Sequence, residues 1–472
     1  MTFSSPVFLF IFFPAVLLCY FLIPAKCLRI RNAFLTVASL VFYGYGEPVA
    51  MLLMLGVVAW SWGSALLMQK AKQFRRLFLL LGIFGDLGVL CVYKYTNFII
   101  DTVNTCLHTG IPAVALRLPI GISFFVFQAI SYIMDVSRDE AKPQKSYFRL
   151  LLYIAFFPQL IAGPIVRYQT IEEALSNRRS TVEDVAAGMR GMILGLSKKL
   201  LIADTVGLIA DRVFGMGDTL ALPAAWLGAV CYTFQIYFDF SGYSDMAVGM
   251  GRIFGFAFPQ NFNYPYSAAS ITDFWRKWHI SLTTWFRQYL YIPLGGNRKG
   301  NARTILNKWI VFLCTGLWHG ASWTFVLWGA MNGALMTIEQ LFRKNKSKTG
   351  TSKTKWYMHV YTVLAVVLAF VMFRAETVSQ AVHFYQAMFT FGSISRLTVS
   401  ACLQMLSPLA VTVLLAACLF SIPLPQKWME SAEKRAPAAA GTILNVICIG
   451  LLLLCIMNAA ATTYHPFIYF RF

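Results

Sequence analysis

Two histidines in this chain stand where an imidazole could do chemistry. His319 lies inside a strongly apolar stretch, 309–341, with Trp318 and Trp323 beside it and Gly316 and Gly320 around it. An ionisable group at membrane depth is costly and usually faces a cavity or pathway. Burial lowers a histidine's affinity for its proton, which leaves a neutral imidazole that can accept one from a hydroxyl as a general base. On pattern alone, a histidine bonded across a helix interface fits the same place. His279 stands in Asp273-Phe-Trp-Arg-Lys-Trp-His-Ile-Ser-Leu282. Read as one helix, this stretch puts Trp275, Trp278, Leu282, Trp285 and Tyr289 on one face and Asp273, Arg276 and Arg287 on the other. His279 falls at the border, the pattern of a helix at the membrane–water boundary. There an interfacial histidine bonded to a neighbour is the plain reading, with Arg276, Lys277 and Arg287 as headgroup or cytoplasmic charges.

Other chemistry finds little footing. Gln235, Asp239 and Asp245 are polar groups at membrane depth that pair with basic neighbours or line a substrate path, pairing being the preferred reading. The ten cysteines are scattered, mostly in apolar runs, with no C-x-x-C pair, so neither a metal site nor a disulfide framework is indicated. No serine-hydrolase elbow, Walker loop or dinucleotide fingerprint occurs.

The elements that must position these histidines are membrane helices. Of 472 residues 58% are hydrophobic and only 13% charged, with a mean hydropathy of +0.62, whereas soluble chains carry roughly 25% charged residues. The net charge of +20 belongs to loops between apolar spans, where basic residues set orientation, and not to a nucleic-acid surface. The first run, 3–23, has its basic residues after it, Lys26, Arg29 and Arg31, so it reads as a retained span with an outside N-terminus. Segments 33–45 and 49–67 form a hairpin pair, 77–100 returns outward and 118–134 comes back. Segment 150–166, interrupted by Pro158 and Pro164, is kinked or re-entrant, and 167–187 is surface-exposed. Gly188, Gly191 and Gly195 suit close helix packing. Segment 309–341 is too long for one crossing of about 20 residues and is a broken or re-entrant pair around Gly316 and Gly320. Further spans fall near 360–373, 408–422 and 441–457. The fold class is all-α and polytopic, with roughly ten to twelve transmembrane helices plus re-entrant and interfacial ones.

Five motifs carry a family resemblance: Tyr237-Phe-Asp-Phe-Ser-Gly-Tyr-Ser-Asp-Met-Ala247, Asn261-Phe-Asn-Tyr-Pro-Tyr266, Asp273 to Leu282 as above, Tyr291-Ile-Pro-Leu-Gly-Gly-Asn-Arg298 and Leu317-Trp-His-Gly-Ala-Ser-Trp-Thr324. They resemble the membrane-bound O-acyltransferase (MBOAT) family, and more closely its bacterial branch that acetylates alginate and other envelope polysaccharides. The match runs from Phe3-Ser-Ser-Pro-Val-Phe-Leu-Phe10 to the last residue. The resemblance implies one membrane domain over 1–472 with a motif core at 230–335, built as a ring of helices around a central funnel or tunnel. It implies that His279 and His319 are the family's paired histidines, with His319 the indispensable base, and that Asp273, Trp275, Arg276, Trp318 and Asp239 are candidates for the substrate path. It further implies a cytoplasmic acyl-thioester donor such as acetyl-CoA, with no bound cofactor and no metal. The acyl group leaves on the periplasmic side of a bacterial inner membrane, to a partner acetyltransferase that completes transfer to a polysaccharide.

The tail Phe467-Ile-Tyr-Phe-Arg-Phe472 resembles an aromatic tail of this branch and of a small protein in teichoic-acid D-alanylation. By that analogy Tyr469 relays the acyl group, His319 removing its phenolic proton; an aromatic anchor is the other reading. Arg471 stands where related tails often have Gln, which bears on the choice of partner. Competing functions are a transporter or flippase, which also has many spans and broken helices, and acylation of a protein or lipid with a longer chain.

Overall fold

Backbone N–H and C=O groups in hydrocarbon must find partners within the chain, and helices supply them. The computed structural model, in which residues 1–344, 355–461 and 467 are described, is predominantly helical, with no strand among those residues. It divides into two compact units. One comprises Met1–Met192 with Tyr243–Gln260; the other comprises Ile193–Gly242 with the described residues from Asn261 onward, apart from Tyr469–Arg471, which lie outside the described residues.

The first unit begins with α1 (Phe13–Leu22), α2 (Leu28–Gly44), α3 (Pro48–Lys70), α4 (Arg75–Leu107) and α5 (Ile122–Ser137). The α2–α3 hairpin turns at Pro48, whose fixed φ suits the first helical position. Polar groups within α3, α4 and α5 are turned inward, where they meet each other instead of lipid. Ser61 donates to the Asp86 carboxylate at 2.9 Å, and Lys94 Nζ lies 3.3 Å from Ser123 Oγ. The two prolines break the next run as expected: α6 (Tyr147–Ala155) stops before the single turn α7 (Phe157–Leu160). The irregular backbone is tolerated because buried side chains take over its bonds. Phe157 N donates to Ser39 Oγ at 3.1 Å, and Tyr153 Oη donates to Val166 O at 2.8 Å. Segment 167–187 lies at the surface as expected, with helix α8 (Tyr168–Ser176) burying one face through Tyr168, Ile171 and Leu175.

Helix α9 (Val182–Ser197) is followed by a π-turn at Lys198–Ala203, α10 (Asp204–Phe214) and the long α11 (Leu222–Ile253). The glycines of α9 do pack as predicted. A Cβ added to Gly188 would lie 2.5 Å from Gly249 O, and one added to Gly242 would lie 2.6 Å from Gly195 O. Contacts this close leave room only for hydrogen at these positions.

The second unit continues with α12 (Ile271–Lys277), α13 (Ile280–Phe286), α14 (Asn301–His319), α15 (Trp323–Lys344), α16 (Trp356–Arg374), α17 (Val378–Phe389), α18 (Arg396–Gln404), α19 (Pro408–Phe420), α20 (Leu424–Arg435) and α21 (Pro437–Ala461). Helices α14 and α15 are the two halves of the predicted broken pair. They run side by side, tied by Trp309 Nε1 to Thr337 Oγ1 at 3.1 Å and Lys308 Nζ to Gln340 Oε1 at 2.6 Å. Where they cross, a Cβ on Gly316 would lie 2.3 Å from Phe325 O and one on Gly329 2.4 Å from Phe312 O.

Among the described residues four helices are long and apolar enough to cross a membrane: α3, α4 with the turn before it, α16 and α21. The pair α18 and α19, bent by 82°, makes a fifth if it counts as one span. The protein is a polytopic all-α membrane protein. These four or five spans are fewer than the roughly ten to twelve expected from hydropathy; the remaining helices among the described residues are shorter, broken or more polar. The breaks at Phe156 and Gly320 fall in the two runs that the prolines and glycines mark as interrupted.

Candidate active site

His319 is the last residue of α14, and the chain turns at Gly320 into an extended conformation before α15 begins. Space there is minimal: a Cβ on Gly320 would lie 2.1 Å from the Phe325 ring. The imidazole is buried among rings set edge to face. Trp318 stands 4.9 Å away, Trp328 of α15 at 5.1 Å and Phe373 of α16 at 5.1 Å, centroid to centroid.

His279 is fully buried, which corrects its reading as a border residue of one continuous helix. The helix ends at Lys277, and His279 takes a left-handed conformation with φ 43° as the residue before α13. The cause lies in another segment. Ile280 N donates to Asn261 O at 2.9 Å and Asn263 N to Lys277 O at 2.9 Å, so pairing with 261–263 takes the amide that a continuous helix would have used. The His279 ring sits 4.6 Å from Phe240 and 5.8 Å from Trp318. Its Nδ1 lies 3.2 Å from Asn261 Oδ1. Burial depresses the imidazole's pKa to about 3, so the ring is neutral at physiological pH.

Trp318 therefore contacts both imidazoles, and the histidines face a shared indole although 40 positions separate them in sequence. Neutral imidazole in a water-poor aromatic shell can accept a proton from a hydroxyl, and the surrounding rings exclude competing water.

Helix α15 holds both histidines in one frame. It crosses α14, which carries His319, and it grips α12, which leads to His279. The Glu339 carboxylate accepts from the Ile271 amide and, at 3.1 Å, from the Thr272 amide, an anion placed at a helix N-terminus. Trp275 Nε1 donates to Asn332 Oδ1 at 3.2 Å, and Asn332 Nδ2 donates to Trp328 O at 2.9 Å. Replacing Asn332 with Leu strands the buried Trp275 N–H and should cost about 1–3 kcal/mol. Thermal melts in detergent should show a lowered midpoint, partly restored when Trp275→Phe is added. If the double variant melts below both single ones, the bond does not carry the effect.

The remaining candidates are placed differently. Trp318 and Trp275 belong to the aromatic shell. Asp273 pairs with Lys277 at 3.1 Å and accepts from the Ala269 amide at 3.3 Å, while Arg276 is exposed. Asp239 is buried in an ion pair with Lys199 at 3.0 Å, and Lys199 also reaches Asp204 at 2.6 Å. Its neighbour Phe240 is the residue that meets His279. Tyr469 lies outside the described residues. Among those residues no three His, Cys, Asp or Glu side chains gather as metal ligands would.

Sequence reasoning missed Asn261, Ser281, Asn332, Trp328, Glu339 and Phe373. For Asn332 and Glu339 a signal existed: each is polar within the apolar run of α15. For Asn261 only its place in a quoted motif stood out.

The MBOAT sequence profile (membrane-bound O-acyltransferase family) matches residues 120–378. A Pseudomonas putida protein named "Probable alginate O-acetylase AlgI" is 39% identical over the whole of both chains. The peptidoglycan O-acetyltransferase of Helicobacter pylori is 34% identical, covering 83% of this chain and 80% of its own. The teichoic acid D-alanyltransferase of Bacillus subtilis is 29% identical across 53% of this chain and 65% of its own. The buried histidines and their aromatic shell lie inside the matched region, and the chain belongs to the membrane-bound O-acyltransferase family as a multi-pass membrane O-acyltransferase.

Proposed function

We propose that the protein takes an acetyl group from a cytoplasmic thioester, acetyl-CoA by class, and passes it across a bacterial inner membrane for O-acetylation of an envelope or exported polysaccharide. The observation that carries this reading is the pair of buried histidines meeting one indole. His319 is the base: its ring accepts the proton of the attacking hydroxyl as oxygen bonds to the thioester carbon, and the proton then goes to the departing sulfur. His279 completes the pair. Tyr469 is the candidate hydroxyl on the chain itself, and a periplasmic acetyltransferase receives the acyl group. Relatives named for alginate, for peptidoglycan and for teichoic acid support a polymeric acceptor.

Charge supports an anionic donor. Between Asp273 and Glu339 the sequence holds no carboxylate, yet carries Arg276, Lys277, Arg287, Arg298, Lys299, Arg303 and Lys308. Arg276, Arg287, Arg298 and Lys299 are exposed and make no ion pair among the described residues. An uncompensated basic surface raises the local concentration of a polyphosphate ligand.

The test is transfer of label from acetyl-CoA by membranes containing the protein. Label should move to added polysaccharide when a periplasmic acetyltransferase is supplied, and Tyr469→Phe should stop this delivery. Arg298→Glu with Lys299→Glu should raise the KM for acetyl-CoA about tenfold with kcat little changed, and added salt should raise it further. Free thiol that never appears in any preparation would remove the donor assignment.

A further inference from the structure

We propose that Asn261 is a positioning residue that sets the tautomer of His279, keeping the proton on Nδ1 and making Nε2 the basic nitrogen. That Nε2 serves acyl transfer rests on the function proposed above; the assignment of the proton does not.

The logic begins with a group that can only donate. The backbone N–H of Ser281 points at one atom of the Asn261 side chain, 3.1 Å away, so that atom is the amide oxygen. The Ser281 hydroxyl donates to the same oxygen at 2.9 Å. His279 Nδ1 faces this oxygen at 3.2 Å and stands 3.5 Å from Ser281 Oγ, whose hydrogen is already given to the Asn261 oxygen over the shorter distance. A lone pair on Nδ1 would meet lone pairs on oxygen, so Nδ1 bears the hydrogen, and in a neutral imidazole Nε2 then carries the lone pair. The main chain of Asn261 grips the same joint by accepting from Ile280 N. Both ends of one residue thus hold the ring's setting.

This orientation has a cost that marks its purpose. Asn261 Nδ2 is buried and makes no hydrogen bond among the described residues. Turning the amide over would leave the Ser281 N–H facing N–H groups. A carboxylate here would accept from all three donors with no stranded N–H, but its charge would draw a second proton onto the imidazole. The amide is the group of this shape that orients the ring and leaves it neutral.

The experiment uses the full-length protein in lipid nanodiscs with 15N-labelled histidine, the His279 signals being identified by their loss in His279→Gln. The wild-type ring should show a protonated Nδ1 and an unprotonated Nε2 at neutral pH. Asn261→Asp, nearly the same shape, should give a ring protonated at both nitrogens, and Asn261→Leu a mixture of tautomers. In both variants kcat for acetyl transfer from acetyl-CoA should fall about tenfold to a hundredfold, with KM within about twofold. A merely structural asparagine predicts an Asp variant with a neutral ring and nearly wild-type kcat, and that result overturns the proposal. So does a wild-type spectrum with the proton on Nε2. Should His279→Gln and His319→Gln both turn over normally, the histidine mechanism fails, whereas the tautomer is read without turnover and stands or falls by its own spectrum.

Discussion

Replacing His319 with Gln is expected to cut acyl transfer about a thousandfold, within the range that a general base contributes, while the protein still accumulates in membranes. Gln is the informative substitution because it nearly keeps the volume that Trp318, Trp328 and Phe373 surround. Ala would remove the base and also open a cavity, mixing a chemical effect with a packing loss of about 2–5 kcal/mol. Release of thiol from labelled acetyl-CoA is the readout, taken beside a thermal melt in detergent. A Gln variant that melts like the wild type and has lost turnover places the imidazole in the reaction. A variant that melts normally and turns over within tenfold of the wild type removes His319 from the mechanism.

The second large effect should come from a methyl group placed at the crossing of α14 and α15. In Gly316→Ala the added carbon would sit 2.3 Å from Phe325 O, and in Gly329→Ala 2.4 Å from Phe312 O. Both obstacles are backbone, which cannot swing aside as a side chain can, so the helices must part. Overpacking of this kind costs about 1–3 kcal/mol or more. His319 lies less than one turn from Gly316 and would move with α14, away from Trp328 of the partner helix. A misplacement of about 1 Å at a reacting group can cost a hundredfold in rate. Both a lower melting midpoint and a loss of transfer of that order are expected. Gly333→Ala supplies the comparison: the atoms nearest its added carbon belong to the Trp309 ring, at 3.3 Å, a side chain at a longer distance and not backbone. If Gly316→Ala and Gly333→Ala behave alike, close approach at this crossing is not what positions the histidine.

Features that depend on near neighbours in the chain were legible beforehand. Pro158 and Pro164 ended a helix, the α9 glycines packed against α11, and the glycines around His319 divided one long apolar run into two helices. The break before His279 was not legible. Residues 271–291 contain no glycine or proline, and the aromatic spacing continues across the gap as though nothing intervened. What stops the helix is an outside competitor, the backbone of 261–263, and no local periodicity records an acceptor from another segment. The environment of His279 was misread with it: a ring placed at the membrane boundary by helical geometry is instead enclosed by Phe240, Phe262 and Trp318. His319 was read more nearly because its burial follows from its own apolar neighbours. The ties from Glu339 and Asn332 to α12 escaped for the reason that hid Asn261, since each joins segments more than fifty residues apart.

The backbone-to-backbone meeting of α14 and α15 also bears on where the surroundings of His319 can vary. Gly316 and Gly329 leave no room for a side chain at this crossing, so a substitution there must move the helices themselves. Room beside the imidazole is set instead by side-chain bulk, the rings of Trp328 and Phe373. Trimming one of those rings changes the space around His319 while leaving the helix crossing itself untouched.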